Sequence, residues 1–522
     1  MTKHFSLDRP RDKRRRGLLA RGVFTCGIAL FLASCSDLGL LRGGPDVTNG
    51  PSSTINGTAI DTSKAAPPVP KRRTNSALVK ASQKENKRII AAYGGVYTNR
   101  QVENQLAQIV SRLVAKSEDP SQRFQITILN SPTVNAFALP GGFLYITRGL
   151  IALANDGSEV AAVLAHEMAH VTSQHGQQRL QQARKSEIVA KAVQGVISDT
   201  STIESIRQQR QLAFAAFTQQ QELDADQVGV KNSALAGYDP FAASRFLETM
   251  ANYQSYRTTA TVAKSNDGPN FLSSHPSTPS RIQKARATAR QFGAPGFGSS
   301  DKQAYLRSID SMIFGDDPAE GFVRDRSFFH PQLLFTFSVP SGYVIENTRE
   351  AVLATAGNGD AVRFDGVDLP VGVTLPQYLT SGWLNGLDPN SIRSFTVNGS
   401  EAASAVAAVN NWSFKITVIR SATSTYRMIF ATQSPSTLFD RAVSSTVSSF
   451  RTLSRGEARS LSPLRIRIVK VKSSDSVSSL AGSMRGLVAN PPEAFMVLNG
   501  LRRGQKVEAG SLVKVIYDGN SG

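Results

Sequence analysis

The chain has 522 residues, a formal net charge of +19 and only two cysteines. A chain of this length predicts about three or four domains, each with a sizeable core. The positive charge indicates an anionic neighbour such as lipopolysaccharide, peptidoglycan or acidic unfolded protein. Nucleic acid is excluded as a partner, because no basic-aromatic motif is present and the N-terminus predicts export away from it.

The first 34 residues have the organisation of a bacterial export signal. Eight basic residues come before position 22, and the apolar run over 22–33 is too short for a good membrane-spanning helix. The run ends in Leu-Ala-Ser-Cys35, which resembles a lipobox, so cleavage before Cys35 and lipidation of its thiol are expected. A short uncleaved membrane anchor is the alternative. Ser36, rather than Asp, follows the cysteine, which by this resemblance favours the outer membrane.

Cleavage would leave Cys35 as the only cysteine of the mature chain, since Cys26 lies inside the leader. No disulfide is then possible within the chain, so stability must come from packing and a bound metal. The leader carries eight basic and two acidic residues, which leaves a mature charge of about +13. Residues 35–76 are rich in Gly, Pro, Ser, Thr and Asn and predict a flexible tether.

The sequence His-Glu-Met-Ala-His is the most informative feature of the chain. It follows a run of strong helix formers, with Asp156 and Glu159 at the spacing of a capping box. On a helix, His166 and His170 lie about 6 Å apart on one face, so both imidazoles can bind one zinc ion. Glu167 lies beside them, where a water on the metal would sit. The alternative is an amphipathic helix whose histidines merely pack or face water.

A third ligand is expected on a second helix, predicted over residues 211–230. Glu222 and Asp226 are four residues apart there, so both carboxylates lie on one face. We interpret Glu222 as the third zinc ligand and Asp226 as the acceptor for the free ring N–H of a ligand histidine. Asp224 is expected to point elsewhere, toward solvent. An ordinary exposed acidic face is the alternative.

The motifs and their order along the chain resemble those of the gluzincin metallopeptidases. This family includes the CAAX prenyl proteases, HtpX and the periplasmic BepA-like proteases. The resemblance covers about residues 80–290 and rests on four stretches. These are His166-Glu167-x-x-His170 with His175 five residues on, Glu222-x-x-Ala225-Asp226, the segment 135–147, and Ser274-His275-Pro276 followed by Arg281.

The resemblance implies a zinc-dependent endopeptidase. With His166, His170 and Glu222 as ligands, one coordination position stays open for a water whose pKa the metal lowers toward neutrality. Glu167 is expected to accept the proton of that water and later to pass it to the leaving amine.

Three further residues of these motifs, His275, Arg281 and His175, are assigned roles around the metal site. By resemblance, His275 either reaches the zinc in a self-inhibited state or assists the oxyanion when substrate is bound. A plain loop histidine ahead of a proline is the third possibility. Arg281 is expected to pair with acidic neighbours and support the site. His175 is rotated away from the ligand face of the helix and is expected to cap or pack.

A substrate-binding edge is expected just before the metal helix. The strand at 143–147 is predicted to form a hairpin with residues 125–130 across the Pro-Gly-Gly turn at 140–142. Residues 135–139 would then form an exposed edge to which an extended substrate adds by backbone hydrogen bonds. A plain surface hairpin is the alternative. The residues expected to contact substrate are Asn135, Ala136, Phe137 and Ala138.

The predicted fold class is multidomain α+β. The expected parts are a signal peptide at 1–34, a tether at 35–76, a mainly helical zinc metallopeptidase domain with a small edge sheet at 77–290, a linker at 291–324, an antiparallel α+β module of unknown role at 325–455, and a small βααβ module at 464–520.

The last of these parts resembles a divergent LysM module. Val471-x-x-x-Asp475-Ser-Val477-x-x-Leu480-Ala481 fits its first strand and helix, although Ser474 stands where that family usually has Gly. The resemblance implies binding to the glycan chains of peptidoglycan. A small βα domain without that function is the alternative.

The favoured reading is therefore a lipid-anchored zinc endopeptidase of the bacterial envelope, acting on unfolded or misassembled envelope proteins. Two alternative hypotheses remain: a chaperone or assembly factor whose metal site is mostly self-inhibited, and a peptidoglycan-bound scaffold.

Overall fold

The computed structural model describes residues 76–178, 218–260, 271–348, 351–421, 424–485 and 490–519. The expected signal peptide, the lipidation site at Cys35 and the tether lie outside the described residues. So does the first part of the helix predicted over 211–230.

The helical domain, residues 76–312, contains the predicted metal helix. Amphipathic spacing forms its second helix, which begins after Asn99, whose side chain accepts the backbone N–H groups of Gln101 and Val102. Its helices are α1 (Ser76–Ala92), α2 (Arg100–Val114), α3 (Arg148–Leu153), α4 (Gly157–Thr172), α5 (Gln219–Leu235), α6 (Ala242–Ala260), α7 (Phe271–Ser274), α8 (Pro279–Ala289) and α9 (Lys302–Ser308).

A three-stranded sheet lies against these helices, in the order β1 (Gln125–Leu129), β3 (Phe143–Thr147), β2 (Ala136–Leu139). The predicted pairing of β1 with β3 is present, but the two strands are parallel, so the predicted hairpin is wrong. The Pro-Gly-Gly turn instead joins β2 and β3, which are antiparallel. The reason is connectivity: a tight turn can pair only the two strands that it directly joins, and β2 ends at the turn.

The sheet module, residues 322–452, is antiparallel throughout, as predicted. The sequence predicts strands over 334–339, 361–364, 413–419 and 426–431 and a closing helix over 434–453, and all of these elements are present. The elements are β4 (Phe322–Arg324), β5 (Ser327–His330), β6 (Phe335–Ser338), β7 (Tyr343–Asn347), β8 (Val352–Ala356), β9 (Ala361–Val367), α10 (Leu375–Leu379), β10 (Leu387–Val397), β11 (Ser400–Val409), β12 (Trp412–Arg420), β13 (Thr425–Thr432), α11 (Thr437–Ser449) and β14 (Arg451–Thr452). One sheet has seven strands in the order β10-β11-β12-β13-β9-β8-β7 and another has four in the order β14-β6-β5-β4.

The C-terminal module, residues 464–519, follows a short helix, α12 (Arg455–Ser460), and has the predicted βααβ order. Its strands β15 (Leu464–Lys470) and β16 (Leu512–Asp518) pair antiparallel, and α13 (Val477–Gly482) and α14 (Pro491–Leu498) lie between them.

The C-terminal module packs into the core of the helical domain. Ile466, Phe495 and Ile516 belong to the same buried apolar cluster as Leu164 of α4. The expected linker at 291–324 is part of this packing, since Tyr305 on α9 is buried in that cluster. Residues 311–314 also exchange backbone hydrogen bonds with β15 at N···O distances of 2.8–3.0 Å. The junction is therefore a continuous core.

None of the described helices is both long enough and apolar enough to cross a membrane.

We predict that Phe335→Ala lowers the free energy of unfolding of the sheet module by about 3–5 kcal/mol. Phe335 is 1% exposed, and its ring lies 5.2 Å from Phe364 and 4.7 Å from Tyr426, centroid to centroid. The chain's two tryptophans, Trp383 and Trp412, both lie in this module, so urea unfolding followed by tryptophan fluorescence reports on it.

The matched control is Leu438→Ala, which truncates a side chain that is 70% exposed on α11. It should change the stability by no more than about 0.5 kcal/mol. Equal effects of the two variants would contradict the proposed core.

Candidate metal centre

Helix α4 carries His166, Glu167 and His170 and is buried along almost its entire length. It begins as predicted, with the Asp156 side chain accepting the backbone N–H of Glu159 at 2.8 Å. The capping box is incomplete, however, because the Glu159 carboxylate accepts the N–H of Asn155 rather than that of Asp156. The helix start is thereby anchored by two carboxylates.

Helix α5 crosses α4 at very short range. A Cβ on Gly229 would lie 3.0 Å from the backbone nitrogen of His166, so a larger residue would push the two helices apart by a few tenths of an ångström. Thr218 and Gln221 form a capping box that starts α5, which places Glu222 in the first turn. The two helices therefore bring the predicted carboxylate against the predicted imidazole pair.

Four buried side chains converge at this crossing: His166, His170, Glu222 and His275. One ligand atom from each lies within 4.8 Å of the others. The Nε2 atoms of His166 and His170 are 3.1 Å apart, and they lie 3.5 and 3.4 Å from the oxygens of Glu222. This juxtaposition of the two predicted helices is the central observation at the site.

His275 joins the cluster from the end of α7. Its Nδ1 lies 2.9 Å from Oε1 of Glu222 and 3.2 Å from Nε2 of His166. The Phe271 ring stacks on the imidazole with a centroid separation of 4.7 Å. Of the interpretations of His275, these contacts favour a direct position among the ligand atoms over a plain loop histidine.

A second layer of charged groups supports the cluster. Oδ1 of Asp226 lies 2.9 Å from Nδ1 of His166, which is the contact predicted for it. Arg281 is 2% exposed and donates to both oxygens of Asp226 at 2.7 Å. Its Nη1 also lies 2.7 Å from Oε2 of Glu222. Arg281 therefore pairs with acidic neighbours, as expected, and ties α8 to α5.

His175 contributes more than the sequence predicts. The expectation that it points away assumed that the helix continues, but α4 ends at Thr172. Gln174 then has φ of 56°, which turns the chain back and brings Nδ1 of His175 to 2.9 Å from Nδ1 of His170. His175 thus orients the second imidazole, as Asp226 orients the first. No local signal in the sequence predicts this left-handed turn.

The electrostatics of the cluster favour a cation. Burial lowers the pKa of His170 to about 3, so its ring is neutral. Burial would also lower the pKa of His166, but Asp226 and Glu222 raise it to about 10. For Glu222, hydrogen bonds from the three histidines outweigh burial and hold the carboxyl pKa far below its usual range. Negative charge is therefore concentrated where the imidazole nitrogens meet.

Glu167 is 2% exposed and lies beside the cluster. Its Oε1 is 3.6 Å from Nε2 of His275, and it has no hydrogen-bond partner among the described residues. Burial raises the pKa of Glu167 against the opposing effects of His275 and His166. A buried acceptor with a raised pKa suits a group that takes up a proton at neutral pH.

The predicted substrate edge lies on β2. Asn135 and Ala136 are buried rather than exposed, because β2 packs against α4 and the Asn135 amide donates to the Tyr93 hydroxyl. Thr147 donates its backbone N–H to the carbonyl of Asn135. In an antiparallel pair the bonded positions alternate, so Ala136 and Ala138 direct their backbone groups away from β3.

The model of peptidase family M48 matches residues 100–289. The match agrees with the resemblance to the gluzincin metallopeptidases that the sequence motifs indicate. The matched range contains α2 to α8 and all four residues of the cluster, whereas the sheet module and the C-terminal module lie beyond it.

Curated relatives align with the same region. The chain is 29% identical over 214 residues to the beta-barrel assembly-enhancing protease of Escherichia coli, covering 38% of this chain and 41% of that one. It is 30% identical over 190 residues to the putative beta-barrel assembly-enhancing protease of Vibrio cholerae, covering 35% and 38%. Mitochondrial metalloendopeptidase OMA1 of Schizosaccharomyces pombe is 26% identical over 179 residues, covering 34% and 50%.

The chain therefore spans about two fifths of the length of the bacterial relatives it matches. Among solved structures, cyanobacterial PsbP from Synechocystis aligns with a TM-score of 0.20 and 13% identity, over 26% of this chain and 98% of that one. A likeness at that score carries no structural argument.

We predict that Asp226→Asn weakens metal binding by about 10- to 100-fold. The change removes the charge that orients His166 and leaves the buried Arg281 without its bidentate partner. Competition titration with a chromophoric chelator measures the metal affinity directly.

Asp224→Asn is the matched control, because Asp224 lies on the same helix and its carboxylate accepts a hydrogen bond from the side-chain amide of Gln220. It should leave the affinity unchanged. A wild-type affinity in Asp226→Asn would refute the supporting role of Asp226.

Proposed function

We propose that the protein is a zinc endopeptidase of the bacterial cell envelope that acts on unfolded or misassembled envelope proteins. The observation that carries the proposal is the convergence of His166, His170 and Glu222 beside the buried carboxylate of Glu167. The M48 match over the same residues and the protease names of the bacterial relatives support it.

Zinc fits the donor set. Ligand atoms about 2.1 Å from a tetrahedral Zn²⁺ lie about 3.4 Å from one another. The separations between the nitrogens of His166 and His170 and the oxygens of Glu222 are 3.1–3.5 Å. Two imidazoles and one carboxylate are also a ligand set that catalytic zinc sites use.

Bound zinc would polarise the scissile carbonyl and lower the pKa of an attacking water. Glu167 would accept the proton of that water at its unpartnered Oε1 and deliver it to the leaving amine. Asp226 and His175 would hold the two ligand imidazoles in orientation through their Nδ1 atoms. Arg281 would keep Asp226 and Glu222 ionised and fixed.

The proposed substrate site is the outer edge of β2. Ala138 is only partly buried and would offer its outward backbone groups to an extended chain beside α4. Ala136 is fully buried, so its backbone groups would have to be uncovered before they could add to such a chain. Recognition through the backbone tolerates many side chains. This suits a protease whose substrates have an accessible extended segment in common rather than a particular sequence. The flanking side chains are those of Asn135 and Phe137.

A second candidate function is a chaperone or assembly factor that seldom cleaves. It is favoured by His275, whose Nδ1 lies among the ligand atoms and would fill the position that a water needs. In this view the described arrangement is a closed form. Opening would require α7 to withdraw.

We further propose that the mature chain is a lipoprotein anchored at Cys35, on the periplasmic side of the outer membrane, and that the C-terminal module is a LysM-like module that binds peptidoglycan. The lipobox-like sequence supports the first point. The βααβ order of the C-terminal module supports the second.

Glu167→Gln should keep the fold and the zinc but lower casein hydrolysis by about 100- to 10,000-fold, because it removes the proton acceptor. Metal analysis and a casein digestion with and without chelator check this. Glu401→Gln, an exposed change on β11, is the control with wild-type activity.

Wild-type turnover by zinc-loaded Glu167→Gln would contradict the peptidase mechanism. Full complementation of an envelope-assembly defect by the same variant would instead favour the chaperone function.

Full-length Glu167→Gln protein should sediment with purified cell-wall sacculi, and 0.5 M NaCl should not release it. Salt at this strength screens a purely electrostatic attraction between a cationic protein and the wall, so retention would indicate glycan recognition. Recovery at background level, or complete release by salt, would remove the LysM assignment.

A further inference from the structure

A buried lysine joins the C-terminal module to the helical domain. Lys514 lies on β16 and is 0% exposed. Its Nζ donates to the backbone carbonyls of Ala152, Leu153 and Ala154 at 2.8, 3.1 and 2.7 Å. These three residues are the last turn of α3 and its C-terminal cap. About 360 residues of sequence separate the two partners.

The contact uses the full donor capacity of the side chain. An ammonium group has three N–H donors, and the last carbonyls of a helix have no partner within the helix. A cation is also favourable at the negative end of a helix. Because burying a lysine is costly without such partners, the match specifies where β16 must lie against α3.

The carbonyls that Lys514 binds lie directly before the metal helix. Ala154 is followed by Asn155, whose backbone N–H donates to Oε2 of Glu159 at 2.9 Å, and by Asp156, which caps α4. Glu159 is itself buried. A displacement of the α3–α4 junction would therefore move the start of the helix that carries His166 and His170.

A second contact reaches the same junction from the loop after α14. The Asn499 side chain accepts the backbone N–H of Lys514 at 2.7 Å and donates to its carbonyl at 2.9 Å. The next residue, Gly500, has φ of +62°, and a Cβ there would lie 2.8 Å from Nδ2 of Asn155. The C-terminal module thus touches both Ala154 and Asn155.

We infer that Lys514 is a positioning residue for the metal centre, and that through it the C-terminal module is a required part of the peptidase unit. Its structural part is that Lys514 keeps the backbone of the α3–α4 junction well ordered. Its kinetic part rests on the proposed peptidase function.

The test compares Lys514→Met with Lys470→Met in the full-length mature protein. Both changes remove one lysine from the same two-stranded sheet, but Lys470 is exposed on β15. Amide hydrogen exchange over residues 150–172 should be at least tenfold faster in Lys514→Met and unchanged in Lys470→Met. Exchange over α11, in the sheet module, should be unchanged in both.

The kinetic arm measures casein-derived peptide hydrolysis by the zinc-loaded proteins. Lys514→Met should lower kcat at least tenfold and leave KM within twofold, because the catalytic geometry changes while the β2 edge does not. Wild-type exchange together with wild-type kcat in Lys514→Met would overturn the inference. If the wild-type protein cleaves nothing, the proposed function fails, and the exchange arm still decides the role of Lys514.

Gly500→Ala tests the same junction if Lys514→Met does not fold. The added methyl group presses on Asn155 from the C-terminal module and should likewise speed exchange over residues 150–172, with kcat lowered. Global unfolding of both variants, seen as faster exchange across α11 as well, would assign these contacts to folding alone and would also overturn the inference.

Discussion

The structure depends on one buried carboxylate. Glu222 lies within 3.5 Å of ring nitrogens from three histidines and 2.7 Å from the Arg281 guanidinium. Burying a carboxylate without partners is costly, so α4, α5 and the segment from α7 to α8 must all hold their positions at once. Gly229 makes this possible, since it allows α5 to approach the backbone of His166.

The same need of buried charged groups for partners explains why the groups around the cluster form contacting pairs. Asp226 serves His166 on one side and Arg281 on the other, while His175 contacts His170. Each of these two imidazoles therefore has a polar atom 2.9 Å from its second nitrogen, which favours the orientation in which the other nitrogen faces the centre. The Oε1 of Glu167 lies farther from its charged neighbour, at 3.6 Å from Nε2 of His275, and has no hydrogen-bond partner among the described residues. That difference separates the proposed proton acceptor from the groups that hold the geometry.

The buried apolar cores do not follow the boundaries of the three modules. The C-terminal module shares the apolar cluster of the helical domain and closes it with Lys514. The sheet module has its own aromatic core around Phe335 and Phe364. A ligand of the C-terminal module would therefore act next to the start of α4, whereas a ligand of the sheet module would act on a separate core.

The sequence by itself determined what depends on local spacing. Residues at i and i+4 share a helix face, so the pairing of His166 with His170 and of Glu222 with Asp226 follows from the chain alone, as do the strands of the sheet module and the βααβ order at the end. The tertiary structure alone decided what depends on long-range contact. Four features depend on turns and packing that no local period encodes. They are the parallel pairing of β1 with β3, the contact of His175 with His170, the position of His275 in the cluster and the capping of α3 by Lys514. Their positions follow from burying polar groups only where partners exist, and those partners come from distant parts of the chain.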